Sequence, residues 1–401
     1  MLDSQEIIKN ISSFTNYCYS CNRCVNVCPL SHLDIFYPKD LVSDLNFLTI
    51  EEVIEENNIW NCLTCGQCSI YCPMTRENEG VRIPELILEL RKISNKNNSE
   101  IKKIVKCETH NDIFTLISKI MARNPSSPNK LDFLKKNELK TTTSGEIAYF
   151  VGCLSIMDDL FYNFDINYTD IPVTIINLLN ENGINPVVLD EKCCGHDILW
   201  GRGDNETFRK LAEYNTQLYK NAGVKTIIVG CAEGYRTWKY DYPKIIEDFD
   251  FEVLHFSEFF LRENILKNIK YTHNSKINVT YHDSCRLGRL GGKLYDTPRE
   301  LIKKIPGVKL IEMENNKDDA NCCGVSAFTN CSEYTRYIRQ NRINEAIETG
   351  GEYLIVPCPK CLTHFNCYLN ELSLNKEHNK RSSNIKVIDL ASFIGKLLMI
   401  V

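Results

Sequence analysis

Twenty of the 401 residues are cysteines, and most stand in patterns that could hold iron. Two stretches read Cys-x2-Cys-x2-Cys-x3-Cys-Pro: Cys18, Cys21, Cys24 and Cys28, then Cys62, Cys65, Cys68 and Cys72. Two-residue gaps let three thiolates of one tight loop reach three irons of one cube, and in two-cluster proteins the fourth thiol of a run ligates the other cluster. That rule assigns Cys18, Cys21, Cys24 and Cys72 to one [4Fe-4S] cubane and Cys62, Cys65, Cys68 and Cys28 to a second. Structural zinc also uses Cys-x2-Cys pairs, but it calls for neither the third thiol nor the trailing Cys-Pro. Further along come Cys285, then Cys322-Cys323-Gly324, then Cys358-Pro-Lys-Cys361. Five thiols are more than a cubane takes. The same plan stands earlier as Cys153, Cys193-Cys194-Gly195 and Cys231, with Gly234 where the fifth thiol would fall. Such a ligand set belongs to electron transfer.

These thiols need elements to carry them. Residues 1–92 hold both ferredoxin-type runs and end in a helix that Pro84 would start, over Glu85–Lys92. Residues 93–145 form a helical connector, with a break at Asn124–Asn129 and one amphipathic helix marked by Ile113, Phe114, Ile117, Ile120 and Met121. From 146 the chain repeats itself, over 146–272 and 273–401. Short apolar strands alternate with helical segments, as in βαβ units of a parallel sheet. The first half offers Ile147–Val151, Pro186–Leu189, Thr226–Val229 and Phe251–Leu254; the second offers Ile277–Tyr281, Val308–Ile311, Tyr353–Val356 and Ile385–Ile388. The fold class is thus α+β and α/β: an N-terminal helical di-cluster ferredoxin domain, then two pseudo-repeated α/β domains with parallel sheets. Cys153, Cys231, Cys285 and Cys358 fall just past strand C-termini, the edge where ligands gather in open α/β sheets.

Composition narrows the class. A formal charge of −5 argues against a nucleic-acid surface, and the clusters Lys102-Lys103, Lys135-Lys136 and 375–381 read as solvated faces. The N-terminus shows no basic and apolar leader, so the thiols are expected to be reduced, cytoplasmic and mostly metal-bound. No run reaches the roughly 20 apolar residues of a membrane span. Membrane association would come through a partner.

The whole set resembles heterodisulfide reductase, in its D-type component, which fuses a ferredoxin part to two "CCG" repeats (elsewhere carried by separate C-type and B-type components). The resemblance rests on the two ferredoxin runs, Tyr149-Phe-Val-Gly-Cys153, Cys193-Cys-Gly195, Cys231–Arg236, His282-Asp-Ser-Cys285, Cys322-Cys-Gly324 and Cys358-Pro-Lys-Cys361. The iron–sulfur subunits of glycolate oxidase and anaerobic glycerol-3-phosphate dehydrogenase, and part of thiol:fumarate reductase, share this architecture. The resemblance implies a noncubane [4Fe-4S] cluster on Cys285, Cys322, Cys323, Cys358 and Cys361, at which a disulfide such as coenzyme M–coenzyme B heterodisulfide is reduced. Gly234 departs from the pattern. The four remaining thiols, Cys153, Cys193, Cys194 and Cys231, suffice for a cubane, and an empty retained site is equally open.

Other residues have plainer readings beside the chemical ones. His282 could give a proton to a leaving thiolate or fix its loop; His196 has the same two readings. Arg286 and Arg289 could attract an anionic thiol, with surface solvation as the ordinary role. Cys107, Cys331 and Cys367 read as small buried hydrophobes. Gly201-Arg-Gly203 and Gly288–Lys293 complete neither a dinucleotide nor a phosphate fingerprint, so no flavin or nicotinamide site is visible. Electrons must pass to or from a partner protein, of flavoprotein or cytochrome type. The alternative function is a relay between a flavin dehydrogenase and quinone, with no chemistry of its own.

Overall fold

Left-handed residues set the N-terminal loops. Both cysteine runs place one at the second and fourth positions after the leading cysteine: Ser20 (φ 58°) and Asn22 (φ 62°), then Thr64 (φ 45°) and Gly66 (φ 79°). Each loop opens a short helix, α1 (Arg23–Val27) in the first run; α2 (Pro38–Asp44) lies between the runs, and α3 (Gln67–Tyr71) follows the second loop. Cys28 and Cys72 end α1 and α3 in nearly identical extended backbone, at φ −78° and −77°. The helix expected to start at Pro84 is α4 (Ile83–Lys96), longer than its sequence signal by a turn at its C-terminus. These residues belong to a compact unit within Met1–Leu116, His196–Phe208 and Gly324–Ile338. The computed structural model describes residues 11, 13–15, 17–75, 80–96, 113–123, 129–164, 166–267, 269, 271, 276–324, 333–374 and 385–401. Cys107, Cys331, Lys102-Lys103 and the 375–381 cluster lie outside them.

The second unit, within Ile117–Gly195, Arg209–Cys323 and Arg339–Val401, holds both sheets. Its first repeat runs β1 (Ile147–Phe150), α5 (Leu154–Leu160), α6 (Asp170–Glu181), α7 (Asn205–Asn221), β2 (Thr226–Val229), α8 (Ala232–Arg236), β3 (Glu252–His255) and α9 (Phe256–Arg262). The second runs β4 (Ile277–Tyr281), β5 (Val308–Leu310), α10 (Glu333–Glu348), β6 (Tyr353–Val356), α11 (Pro359–Leu374), β7 (Lys386–Asp389) and α12 (Leu390–Leu397). All pairings are parallel, in the orders β1-β2-β3 and β5-β4-β6-β7.

Seven of the eight expected strands form. The exception is Pro186–Leu189, reduced to single bridges from Val187 to Ala148 and Thr142. The segment lies between β1 and Thr142 and bridges both at Val187, whose N–H reaches the Ile147 carbonyl at 2.8 Å, while Pro186 has no N–H to extend the ladder. Counting that remnant, the two sheets have the same order. Asp204 caps α7 through the Thr207 amide at 2.9 Å, and Gly350, at φ 72°, follows the end of α10. The segments after the fourth strands match too: α9 is capped by His255 and α12 by Asp389. Among the described residues no helix is long and apolar enough to cross a membrane.

Candidate metal centres

In the N-terminal unit, Cys28 lines one pocket with Cys62, Cys65 and Cys68. Cys72 lines a second with Cys18, Cys21 and Cys24, and Cys68 touches this one as well. Two thiol-lined pockets, with four cysteines at the wall of the first and five at that of the second, fit two cubanes by donor chemistry. Burial pushes the Cys24 thiol up to about 11 and Cys62 to about 12, and it raises Cys28 and Cys68. Metal binding must therefore supply the free energy of deprotonation. Arg91 of α4 is fully buried against the Cys62 loop. Its Nη2 donates to the carbonyls of Ile59 (3.0 Å), Trp60 (3.3 Å) and Cys62 (2.9 Å), and its Nη1 to Trp200 (2.7 Å). The Trp200–Gly203 segment reaches that close because Gly203 has no side chain: a Cβ there would stand 2.4 Å from the Arg91 backbone.

In the second repeat, ligand atoms of His282, Cys323 and Cys361 lie within 4.8 Å of one another, all buried. Cys361 donates to Cys323 at 3.3 Å. Cys322 and Cys358 are also buried, while Cys285 is only half-buried and is not among the ligand atoms gathered within 4.8 Å. Cys358 and Cys361 share the first turn of α11, one capping it and one inside. The Cys358 thiol is held well below its usual range by hydrogen bonds from Cys231 and Cys361; Cys361 is raised by its bonds to Cys323 and Cys358. The His282 ring is held by Arg342 of α10, whose Nε donates to Nδ1 at 3.1 Å, and by Phe365, edge-on at 5.1 Å. Burial first, and Arg342 second, bring its pKa down to about 3. It is a neutral imidazole with the proton on Nε2. One turn before Arg342, Arg339 is fully buried, and among the described residues none of its three guanidinium nitrogens has a hydrogen-bond partner. A buried cation of this kind suits an anionic occupant such as an iron–thiolate group.

The loop that carries Cys322 and Cys323 is pinned by cations. Arg289 Nη1 donates to the carbonyls of Ala320 (2.8 Å) and Asp318 (3.2 Å). Arg342 pairs with Glu345 at 2.6 Å, and Glu345 accepts from Asn315 and Asn321. Asp283 is engaged in a bidentate pair with Arg299, at 2.7 Å on both arms, and accepts the Lys317 amide. Arg286 is buried. Surface solvation, the ordinary expectation for Arg286 and Arg289, is therefore corrected: burial or backbone carbonyls claim both. Cys367, expected inside, is only half-buried, and His196 stacks on Trp200 at 6.3 Å in the N-terminal unit.

The four thiols of the first repeat also converge. Cys193 collects hydrogen bonds from Cys153 and Cys194, which hold it low, and Cys194 is raised in turn. Asn215 of α7 brackets the pair, donating to the carbonyls of Lys192 and Cys193 at 3.2 Å while accepting the Lys192 amide. Glu191, buried and paired with Lys130 at 3.0 Å, accepts the amides of Val151 and Gly152 and so sets the turn before Cys153. At Gly234 a Cβ would meet Val229 at 3.0 Å, with Phe150 at 3.8 Å. A side chain at the fifth position would therefore need Val229 to shift slightly. The repeats meet at α8 and α11: the Ala232 amide donates to the Pro357 carbonyl at 3.2 Å, Lys360 pairs with Glu233 at 3.2 Å, and Cys231 bonds to Cys358.

Sequence reasoning did not single out Arg91, Lys130, Glu191, Asn215, Arg339 or Arg342. Five of them act through partners far along the chain and Arg339 is marked only by its burial, and a lone polar side chain carries no sign of burial in the sequence around it.

Residues 14–75 match the 4Fe-4S dicluster domain, and residues 147–235 and 279–366 each match the cysteine-rich CCG domain. The chain is 29% identical over 317 residues to the D component of the dihydromethanophenazine:CoB–CoM heterodisulfide reductase of Methanosarcina mazei, covering 76% of this chain and 72% of the relative. It is 26% identical over 337 residues to the EtfAB:quinone oxidoreductase of Syntrophomonas wolfei, covering 78% and 43% respectively. Among solved structures, a hypothetical protein from Helicobacter pylori aligns with 99% of this chain and 77% of its own, at a TM-score of 0.53 and 14% identity, a likeness of fold.

Proposed function

Because the chain belongs to the iron–sulfur proteins that join a 4Fe-4S dicluster domain to two cysteine-rich CCG domains, we propose that it is an oxidoreductase subunit that reduces a disulfide, such as coenzyme M–coenzyme B heterodisulfide, with electrons from a partner. The observation that carries this reading is the buried convergence of His282, Cys323 and Cys361 beside Cys358, with Cys285 only half-buried. Cubanes on Cys18, Cys21, Cys24 and Cys72 and on Cys62, Cys65, Cys68 and Cys28, with a noncubane cluster on Cys285, Cys322, Cys323, Cys358 and Cys361, supply one-electron storage and an iron that can take sulfur.

The chain's own residues do the rest. The disulfide takes two electrons and two protons and leaves as two thiols. Of the five thiols Cys285 is the one that is not buried, and in this reading the disulfide approaches past it. His282 is neutral, so it serves a developing thiolate as an Nε2–H hydrogen-bond donor, and Arg342 fixes that tautomer from behind. The Arg289 and Arg299 contacts hold the Cys322-Cys323 loop in place while charge changes nearby.

Iron analysis tests the reading. Two cubanes and one noncubane cluster need about 12 irons per chain, and a cluster on Cys153, Cys193, Cys194 and Cys231 brings the total to about 16. A fully reconstituted sample near eight sinks the noncubane proposal. Oxidised protein is also expected to give a new paramagnetic signal on addition of a physiological thiol; if none does, and a flavin partner still reduces the chain rapidly, the relay reading takes its place.

The chamber shared by Cys28 and Cys62 makes a second expectation. Cys28→Ser is expected to damage the cluster signal that Cys62→Ser, Cys65→Ser and Cys68→Ser damage, and to spare the other. Loss confined to the signal that depends on Cys18 and Cys21 would overturn the crossed assignment.

A further inference from the structure

The two ferredoxin-type loops share one backbone design and differ in what surrounds it. In the Cys62 run the residues between the thiols are inside: Leu63 is 2% exposed, Thr64 1% and Gln67 8%. In the Cys18 run their counterparts face water: Tyr19 is 58% exposed, and Ser20, Asn22 and Arg23 are exposed as well. Cys18 and Cys21 are themselves exposed, whereas Cys62 and Cys65 are buried. Tyr17, 66% exposed, and Tyr71, beside Cys72, put two more aromatic rings on residues adjacent to this thiol set.

Charge separates the loops further. The chain carries a net −5, yet among the described residues lining the Cys18 chamber the charged ones are Arg23 and Lys39, with no carboxylate. Lys39 has Asp40 at 3.9 Å, near the limit of an ion pair; Arg23 has no carboxylate partner among the described residues. The equivalent of Arg23 in the buried loop is the uncharged Gln67. A cationic rim with exposed tyrosines around solvent-reachable thiols is the composition of a docking surface: aromatic rings supply contact area, and the charges steer an oppositely charged partner.

We propose that the Cys18 loop is the electron port of this chain, and that its partner is a redox protein with an acidic surface around its cofactor. One electron leaves the reduced partner, which is oxidised, and enters the cubane on Cys18, Cys21, Cys24 and Cys72, which is reduced; no bond forms or breaks. This rests on the two-cubane reading above and not on the identity of the disulfide.

The test uses the full reconstituted chain and a reduced acidic two-cluster ferredoxin as probe. The double variant R23E/K39E is expected to weaken its binding, by titration calorimetry at low ionic strength, and to slow electron uptake in stopped flow, each about tenfold. Raising salt is expected to shrink the gap. Dithionite is expected to reduce wild type and variant at equal rates, and Tyr162→Ala, an exposed tyrosine of the second unit, is expected to change nothing. Tyr19→Ala, which leaves all charges in place, is expected to weaken binding at high and low salt alike. Unchanged binding and uptake in R23E/K39E, with both cluster spectra intact, overturns the port; so does an absence of ferredoxin binding to wild type at low salt. Missing cluster spectra before any partner is added count instead against the two-cubane reading, and the port falls with it.

Discussion

Replacement of Cys361 by alanine is expected to abolish both the thiol-induced paramagnetic signal and disulfide reduction, by at least about 100-fold in rate, while both ferredoxin-type clusters remain reducible. Cys361 lies in the first turn of α11, buried, with its sulfur 3.3 Å from Cys323. Alanine keeps the helix and removes one small atom, so the change acts on the ligand set more than on packing. The cubane thiols all lie at or before Cys72, in the other compact unit. Cys231→Ala provides the contrast. Because Cys231 bonds to Cys358, its loss is expected to shift the thiol-induced signal without removing it. A Cys361→Ala protein that still binds thiol and turns over as wild type would end the five-thiol proposal.

Arg91→Met is expected to destabilise the N-terminal unit by about 3–5 kcal/mol, because it leaves several buried acceptors unpaired at once. Methionine fills much the same space but leaves the carbonyls of Ile59, Trp60, Cys62 and Trp200 without their donor. Each buried acceptor left unpaired costs about 1–3 kcal/mol before relaxation. Tryptophan fluorescence reports on this directly, because Trp60 and Trp200 both touch Arg91 through their backbones and the guanidinium stands 5.5 Å from the Trp60 ring. The urea midpoint of the tryptophan transition is expected to fall, together with iron retention at the Cys62 site. An unchanged midpoint would show that Arg91 is dispensable to the loop.

The thiols and strands were legible because each is written locally. A cysteine run states its ligand spacing in eleven residues, and Ile147–Phe150 or Tyr353–Val356 states burial by an unbroken apolar stretch. Pro186–Leu189 reads the same way, but its proline nitrogen cannot donate and the segment forms only isolated bridges at Val187. The supports of the sites were not legible. Arg91 reaches Trp200 across 109 residues and Lys130 reaches Glu191 across 61, and nothing near either residue marks it as buried. His282 shows the limit from the other side: its type and place were readable, but its neutrality comes from burial and Arg342, 60 residues away.

The meeting of α8 and α11 has a consequence for how such a chain can change over generations. When a half is duplicated and fused, each copy starts with the same work. Here the first copy contributes Glu233 to Lys360, Cys231 to Cys358 and the Ala232 amide to the Pro357 carbonyl, so it has become part of the wall of its twin. Such a copy can lack the fifth thiol, as at Gly234, but it cannot be discarded without removing those contacts from its twin. A half held in this way is kept for what it touches, whatever its own thiols hold. A cysteine at position 234 would bring its Cβ to 3.0 Å from Val229, so a slight shift of that one side chain stands between the two repeats and equal thiol sets.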